Sequence, residues 1–336
     1  MTGSGESGVV LSVVIPVLNE QGNVPVLYES LEPVLRAVHL PYEIIFVDDG
    51  SRDRSAEEVE RLHARNPRVK LISLSRNFGH QIALSAGIEH AEGGAVITMD
   101  GDLQHPPELI PTLVEKWREG YAIVYTVRRD SRETGLFKRW SAAMFYRLIN
   151  LMTKTPIPVG AADFRLLDRM VVDELLKLKE HARFFRGLVS WVGFRQIGVP
   201  YTVPSRLAGR SGYSFAKMVR FAMDGITSFS SFPLRLATYM GFVVSGVSFL
   251  YGVYTVYMGL FSERVIPGWA SLVTAVLFLG GVQLIALGIV GEYVGRIYDQ
   301  VKGRPLYVVQ KTVGDVQRAD GARRAGGEET DGAPTR

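Results

Sequence analysis

Short apolar runs rich in valine and isoleucine recur through the first 127 residues, at 11–16, 43–47, 69–74, 95–99 and 122–127. Each is four to eight residues long in character and reads as a buried strand. The stretches between them change period. Val24, Leu27, Leu31, Val34, Leu35 and Val38 recur at helical spacing, which places them on one face of a helix. Ala56, Val59 and Leu62 repeat the pattern, as do Ile82 with Ala86 and Leu109, Leu113 with Trp117. Strand alternating with helix predicts an α/β domain with a mostly parallel sheet covered on both faces.

Polar residues follow each strand. The first ends in Pro16-Val-Leu-Asn19-Glu20, the second in Val47-Asp48-Asp49-Gly50-Ser51-Arg52-Asp53, and the third in Ser75-Arg76-Asn77-Phe78-Gly79-His80. The fourth runs Val96-Ile-Thr-Met-Asp100-Gly-Asp102-Leu-Gln104-His-Pro-Pro-Glu108. The carboxyl ends of strands are where open α/β sheets bind ligands, so these rims are expected to converge. Two carboxylates and an amide oxygen at alternate positions offer hard oxygen donors suited to Mg²⁺ or Mn²⁺. Taken singly, Gly50-Ser51 and Asp53 are also ordinary turn and N-cap residues. No G-x-G-x-x-G follows the first strand, which argues against a dinucleotide site.

As a set, Val13-Val-Ile-Pro16-Val-Leu-Asn19-Glu20, Val47-Asp-Asp-Gly-Ser51, Arg76-Asn-Phe-Gly-His80 and Met99-Asp-Gly-Asp-Leu-Gln104-His-Pro-Pro resemble the inverting family-2 glycosyltransferases of GT-A fold. The chain is most similar in kind to the polyprenyl-phosphate glucosyltransferase and dolichol-phosphate mannose synthase group. The resemblance covers residues 9 to about 230 and extends through the oily tail. It implies a nucleotide-diphosphate sugar as donor and a polyprenyl phosphate as acceptor. It implies that a divalent ion sits at Asp102 and Gln104, with Asp100 holding the ion or the ribose. Pro16, Asn19, Glu20 and Asp49 are then expected around the base and ribose.

Beyond the fifth strand the likeness continues. Arg128-Arg129 stand where similar enzymes place basic residues near substrate phosphates. Gly160-Ala-Ala-Asp163-Phe-Arg165-Leu-Leu-Asp168-Arg169 resembles the segment whose first aspartate is the proposed base, which maps onto Asp163. Residues 164–178 look helical, so Asp163 is equally a candidate helix cap. Residues 138–153 also read as a helix. Arg183-Phe-Phe-Arg186-Gly187 resembles a stretch beneath the acceptor site. The Gln-x-x-Arg-Trp of processive synthases is missing, which points to transfer of one sugar. Arg206, Arg210 and Ser211 lie in a basic loop that, in similar enzymes, covers the site and contacts phosphate. An ordinary solvated loop is the competing reading.

Two oily segments follow, 234–260 with one charge at Arg235 and 269–290 with none. Each exceeds the ~20 residues that span a bilayer. Lys217, Arg220 and Arg235 precede the pair, and Arg296, Lys302 and Arg304 follow it. That basic excess places both ends in the cytoplasm. The domain plan is a cytoplasmic GT-A domain at 1–210, an amphipathic interfacial helix at 211–230, transmembrane helices at 234–260 and 269–291, a cytoplasmic segment at 296–313, and a disordered tail at 314–336. Leu306-Tyr-Val-Val-Gln is expected to add a strand or to pair between subunits. A multi-pass protein of the cell (inner) membrane follows, and the resemblance implies a homo-tetramer.

Composition narrows the classes. The chain of 336 residues has no cysteine, which excludes disulfides and thiolate chemistry. A net charge of +4 is no nucleic-acid signature. Transfer of glucose from a uridine donor is the favoured reaction. Transfer of mannose from a guanosine donor, an Mg²⁺-dependent nucleotidyltransferase and a non-catalytic membrane accessory are the alternatives. A phosphate monoester has a second pKa of about 6, so the acceptor is already mostly anionic at neutral pH. Asp163 is therefore expected to position substrate more than to remove a proton.

Overall fold

The computed structural model describes residues 9–129, 160–178, 180–181, 183–202, 232–261 and 268–316. They divide into two compact units. The first holds an eight-stranded sheet. Its elements are β1 (Leu11–Val17), α1 (Asn23–Ala37), β2 (Tyr42–Asp48), α2 (Ser55–Arg65), β3 (Val69–Leu74), α3 (His80–His90), β4 (Ala95–Thr98), α4 (Ile110–Arg118), β5 (Ile123–Arg129), β6 (Ala161–Asp168), α5 (Arg169–Lys177), α6 (Phe185–Trp191) and β7 (Gln196–Thr202). The second unit holds two long helices, α7 (Phe232–Phe261) and α8 (Trp269–Val301), after which the chain returns to the first as β8 (Val309–Val313).

Alternating strand residues account for the two covered faces. Leu11, Val13, Ile15 and Val17 face Val24, Leu27, Leu31 and Leu35 of α1 in the main core, together with Leu113 of α4. Helix α3 packs on β1 and β2.

The strand order is β7-β5-β6-β4-β1-β2-β3-β8. β1 pairs in parallel with both β2 and β4. The chain winds from β1 outward to β3 and then crosses back to β4, so the topological switch lies between β1 and β4, where open sheets bind ligands. Pro16 lies beyond the last β4 rung, which joins Val14 to Thr98. A missing N–H at that point takes nothing from the ladder.

One feature differs from expectation. Residues 164–168, expected as the start of a helix capped by Asp163, instead belong to β6, antiparallel to both β4 and β5. The helix starts only at Arg169, and its cap is Asp168, whose carboxylate accepts the Met170 N–H at 2.9 Å. The fifth strand pairs antiparallel with β6 and parallel with β7. The segment around residue 306 does add a strand: β8 runs antiparallel to β3, and Tyr307 donates to Glu89 at 2.6 Å.

In the second unit α7 and α8 pack on one another. They have 30 and 33 residues, or about 45 and 50 Å at the helical rise. Both contain spans long and apolar enough to cross a membrane, with no buried residues in those spans. Phe242 and Leu284 are 72% and 71% exposed, which is unlike core helices. α8 continues ten residues past the expected end at 291, carried by an Arg296–Glu292 pair one turn apart. The helices expected at 138–153 and 211–230, most of the expected tail, and Arg206, Arg210 and Ser211 fall outside the described residues.

Candidate active site

Two loops at the carboxyl rim are laced to each other. The Asn19 N–H donates to Ser51 Oγ at 2.9 Å, Glu20 N–H to Ser55 Oγ at 2.8 Å, and Gln21 N–H to Asp53 Oδ2 at 3.1 Å. In return Asn19 Oδ1 accepts the Arg52 N–H at 2.8 Å and Gln21 Oε1 accepts the Arg54 N–H at 3.1 Å. Asn19 takes a left-handed backbone, φ 57°, which asparagine tolerates. Its side-chain oxygen is thus spent on the neighbouring loop.

A second tie fixes the loop after β3. Both oxygens of Asp49 accept backbone N–H groups, from Phe78 at 2.7 Å and Gly79 at 2.9 Å. Asp49 is 3% exposed. Burial pushes its carboxyl up despite those two donors. Gly50 has φ +72°, and a Cβ there would stand 2.5 Å from the Arg76 carbonyl carbon. Only glycine lets these two loops close on each other. Asp49 and Asn19 therefore build the rim, while Glu20, half-buried and near Asp102, borders it. Desolvation raises the Glu20 carboxyl, and the charge of Asp102 adds to that.

The Asp-x-Asp segment turns sharply after β4. Gly101 is buried, and a Cβ there would meet Val17 Cγ1 at 2.9 Å. Leu103 has φ 62°, a strained value for a leucine of the kind found at functional sites. The turn brings Gln104 onto Asp102, whose Oδ1 accepts the Gln104 N–H at 3.2 Å and whose Oδ2 meets the side-chain amide. Asp102 is exposed. Asp100 faces elsewhere: its Oδ1 lies 2.8 Å from His80 Nε2, and its Oδ2 is 3.6 Å from His105 Nε2.

His105 is 5% exposed, stacks on Phe164 at 5.2 Å, and accepts the Asp100 N–H on Nδ1 at 2.9 Å. Burial holds its pKa down, so it serves as a neutral prop. Burial also opposes charge on His80, but the hydrogen bond and charge of Asp100 outweigh it and raise its pKa. Burial likewise works against the Asp100 carboxylate, but the hydrogen bond to His80 leads the effects that lower its pKa.

β6 delivers Asp163 to the same rim. Thr98 pairs with Arg165 in the antiparallel register, so Asp100, two residues past Thr98, comes out beside Asp163, two residues before Arg165. Thr98 Oγ1 donates to the Asp163 carbonyl at 2.6 Å. The Asp163 carboxylate receives Arg186 on two points, Nε to Oδ1 at 2.8 Å and a terminal nitrogen to Oδ2 at 3.0 Å. Arg165 reaches Oδ1 at 3.3 Å. Burial opposes the anion, yet Arg186 and Arg165 hold its pKa far below the usual carboxylate range. Burial brings the Arg165 guanidinium down to about 10. A carboxylate this strongly stabilised is a poor proton acceptor and a good charge anchor.

Arg128 lies at the end of β5, opposite Tyr201 of β7, and is exposed. Tyr201 is pushed up by burial, with Arg128 opposing that and Asp100 and Asp102 adding to it. Pro16, Glu20, Asp100, Asp102, Gln104, Arg128 and Asp163 thus share one rim.

Hard-oxygen chemistry makes Asp102 and Gln104 a fit for a divalent cation, which commonly takes only one or two carboxylates and fills its shell from substrate phosphates and water. Among the described residues no group of three or more His, Cys, Asp or Glu converges as a metal site. Asp100 stands next to the pair and faces His80 at 2.8 Å and His105 at 3.6 Å. His80, His105, Arg165 and Arg186 all lie in the family-like motifs, but none was a candidate site residue from the sequence; His80 and Arg186 meet their partners 20 and 23 positions away, whereas His105 and Arg165 meet theirs within five residues.

The comparisons agree with this architecture. A family described as "Glycosyl transferase family 2" matches residues 12–176, and one described as "GtrB C-terminal hairpin" matches residues 232–297. "Uncharacterized glycosyltransferase YkcC" of Bacillus subtilis (strain 168) is 50% identical over 303 residues, covering 90% of this chain and 94% of that protein. "Bactoprenol glucosyl transferase" of Shigella phage SfII is 42% identical over 302 residues, covering 90% and 98%. "Putative glycosyltransferase CsbB" of Bacillus subtilis (strain 168) is 42% identical over 302 residues, covering 90% and 92%. With residues 12–176 matched to the transferase family, residues 232–297 to the hairpin, and relatives aligned along nearly their whole length, this chain belongs to glycosyltransferase family 2, in the group that carries a GtrB-type C-terminal hairpin.

Proposed function

We propose that the protein transfers one glucose from UDP-glucose to a polyprenyl phosphate in the cytoplasmic leaflet of the cell membrane, with Mg²⁺ or Mn²⁺ as cofactor. The observation that carries this reading is the meeting at one rim of an exposed, oxygen-rich turn, Asp102 and Gln104, with the Asp163–Arg186 pair, in a chain that also bears two membrane-length helices. The 42% identity to bactoprenol glucosyl transferases supports glucose and a polyprenyl acceptor.

The chemistry is a single displacement. An oxygen of the acceptor phosphate forms a bond to the anomeric carbon. The bond from that carbon to the β-phosphate oxygen breaks, and its electron pair leaves with UDP. Configuration inverts. A divalent ion held by Asp102 and Gln104 would supply Lewis-acid neutralisation of the departing diphosphate. The attacking oxygen is already anionic near neutral pH, so no strong base is needed, in keeping with the low proton affinity of Asp163.

The residues then divide the work. Asp163 anchors Arg186 and Arg165, and so fixes positive charge beside the reacting centre. Arg128, with Arg206 and Arg210, balances the phosphates. Ser211 adds a hydrogen-bond donor to phosphate. Pro16, Glu20 and Asp100 border the nucleotide, and Asn19 and Asp49 shape the loops that hold it.

The test is to incubate membranes containing the protein with a panel of labelled nucleotide sugars and to follow label into the lipid phase. UDP-glucose is expected to label lipid most strongly. Preferential labelling by GDP-mannose would replace the sugar, and lipid-linked nucleotide would indicate a nucleotidyltransferase instead.

A further inference from the structure

The two charged clusters of the site meet at one neutral side chain. Gln81, the second residue of α3, places its amide nitrogen 3.2 Å from Nδ1 of His80. Its amide oxygen accepts the N–H of Phe185 at 3.0 Å. His80 holds Asp100 through the other ring nitrogen. Phe185 opens α6, and the next residue, Arg186, holds Asp163. One amide therefore touches the neighbours of both carboxylates.

The Phe185 contact has a clear physical need. The first N–H groups of a helix lack intrahelical acceptors. Phe184, at the cap position of α6, makes no side-chain cap, and Phe185 is 1% exposed, so water is no substitute. Gln81 supplies the acceptor from 104 residues away. The peptide N–H can face only the amide oxygen, which turns the amide nitrogen toward His80. Neither hydrogen bond can move without moving the other.

We propose that Gln81 is a positioning residue that sets the register between the His80–Asp100 cluster and the Asp163–Arg186 cluster. The inference rests on the glucosyl-transfer reading, in which the first cluster borders the nucleotide and the second the attacking phosphate. Gln81 then fixes the approach of acceptor to anomeric carbon without touching either.

The test is Gln81→Met, which keeps length and bulk and removes both hydrogen bonds, studied in the full-length protein. Turnover is expected to fall about tenfold or more, because a small misplacement of reacting groups is costly. KM for UDP-glucose should stay within about threefold, the pattern of a transition-state effect. Combined with Arg186→Lys, the losses should be less than additive, since both loosen one register. Amide exchange at Phe185 should accelerate in Gln81→Met.

Wild-type turnover per folded molecule, or strictly additive losses, would overturn the proposal. Wild-type protein that transfers no glucose would fail the glucosyl-transfer reading instead. In that case faster exchange at Phe185 still upholds the register between the clusters, and unchanged exchange overturns it.

Discussion

Arg186 grips Asp163 on two points, Nε to Oδ1 at 2.8 Å and a terminal nitrogen to Oδ2 at 3.0 Å. The pair joins β6 to α6 and, with Arg165, leaves the carboxylate almost no tendency to take up a proton. It gives the one aspartate that the family resemblance named as a base a different physical character, that of a fixed counter-charge. Asp163→Asn leaves Arg165, 2% exposed, without its anion. Loss of one partner of a buried pair costs about 3 kcal/mol or more, which lowers Tm in thermal unfolding. Turnover should fall roughly 100-fold through misplacement of the charged groups. Arg186→Lys keeps the charge but loses the two-point grip, and should fall between wild type and Asp163→Asn in both assays.

The pH profile separates base from anchor. Because the pKa of Asp163 is depressed in the folded protein, its stabilising effect is full above the ordinary carboxylate range and is lost only as pH falls below it. No limb of the activity profile at pH 5 to 9 should belong to Asp163. The acid limb should instead sit near pH 6, at the second ionisation of the acceptor phosphate. An acceptor analogue with a lower second pKa should move that limb down by the same amount. A limb that stays put would assign it to the protein.

Metal removal probes the turn after β4. Chelation should abolish transfer, and Mg²⁺ or Mn²⁺ should restore it. Asp102→Asn should raise the ion concentration for half-activation by about tenfold or more, as expected for loss of a charged oxygen ligand. Asp100→Asn should act differently. It breaks the contacts to His80 and His105 and should lower turnover more than ion affinity. Titration of activity with Mn²⁺ for both variants distinguishes the two roles.

A control lies at the opposite rim. Glu43, 1% exposed, accepts Ser12 Oγ–H at 2.6 Å and the Glu92 N–H at 2.8 Å, and pairs with Lys70 at 2.8 Å. It sits at the start of β2, at the amino ends of the parallel strands. Glu43→Ala takes the nearer of two carboxylates from the buried Lys70 cation, leaving Glu92 at 3.3 Å, and leaves the Ser12 and Glu92 donors without their acceptor; it should cost about 2 kcal/mol of stability. Turnover per folded molecule should not change. Thermal unfolding alongside the transfer assay reads both.

The sequence made some of this plain and concealed the rest for physical reasons. Strands β1 to β4 were legible because strands buried on both faces are continuous apolar runs. β6 was not. Its Asp163 and Arg165 point into the site while Phe164 and Leu166 face the core, so polar residues interrupt the run, and it passes straight into α5 without a turn. β7 contains Gly198 and Pro200, which argue against a strand, yet it is an edge strand, where proline is tolerated. The Asp-x-Asp turn was legible from local spacing. The Arg186 grip on Asp163 and the His80 contact to Asp100 were not, because those partners lie 23 and 20 positions away in the chain and meet only in the fold. Asn19 and Asp49 carried the motif signal of ligand contacts, and the loop-to-loop ties they also make could not be read from that signal.

The most direct measurement is mass spectrometry of the lipid product. Purified full-length protein in detergent would be given UDP-glucose, undecaprenyl phosphate and Mg²⁺, and the lipid and released nucleotide quantified together. The expected product is a lipid heavier by one hexosyl unit with UDP released in equal amount, and neither forms when the divalent ion is chelated. Unchanged lipid with intact UDP-glucose, or hexosyl transfer that persists without any divalent ion, would contradict metal-dependent glucosyl transfer.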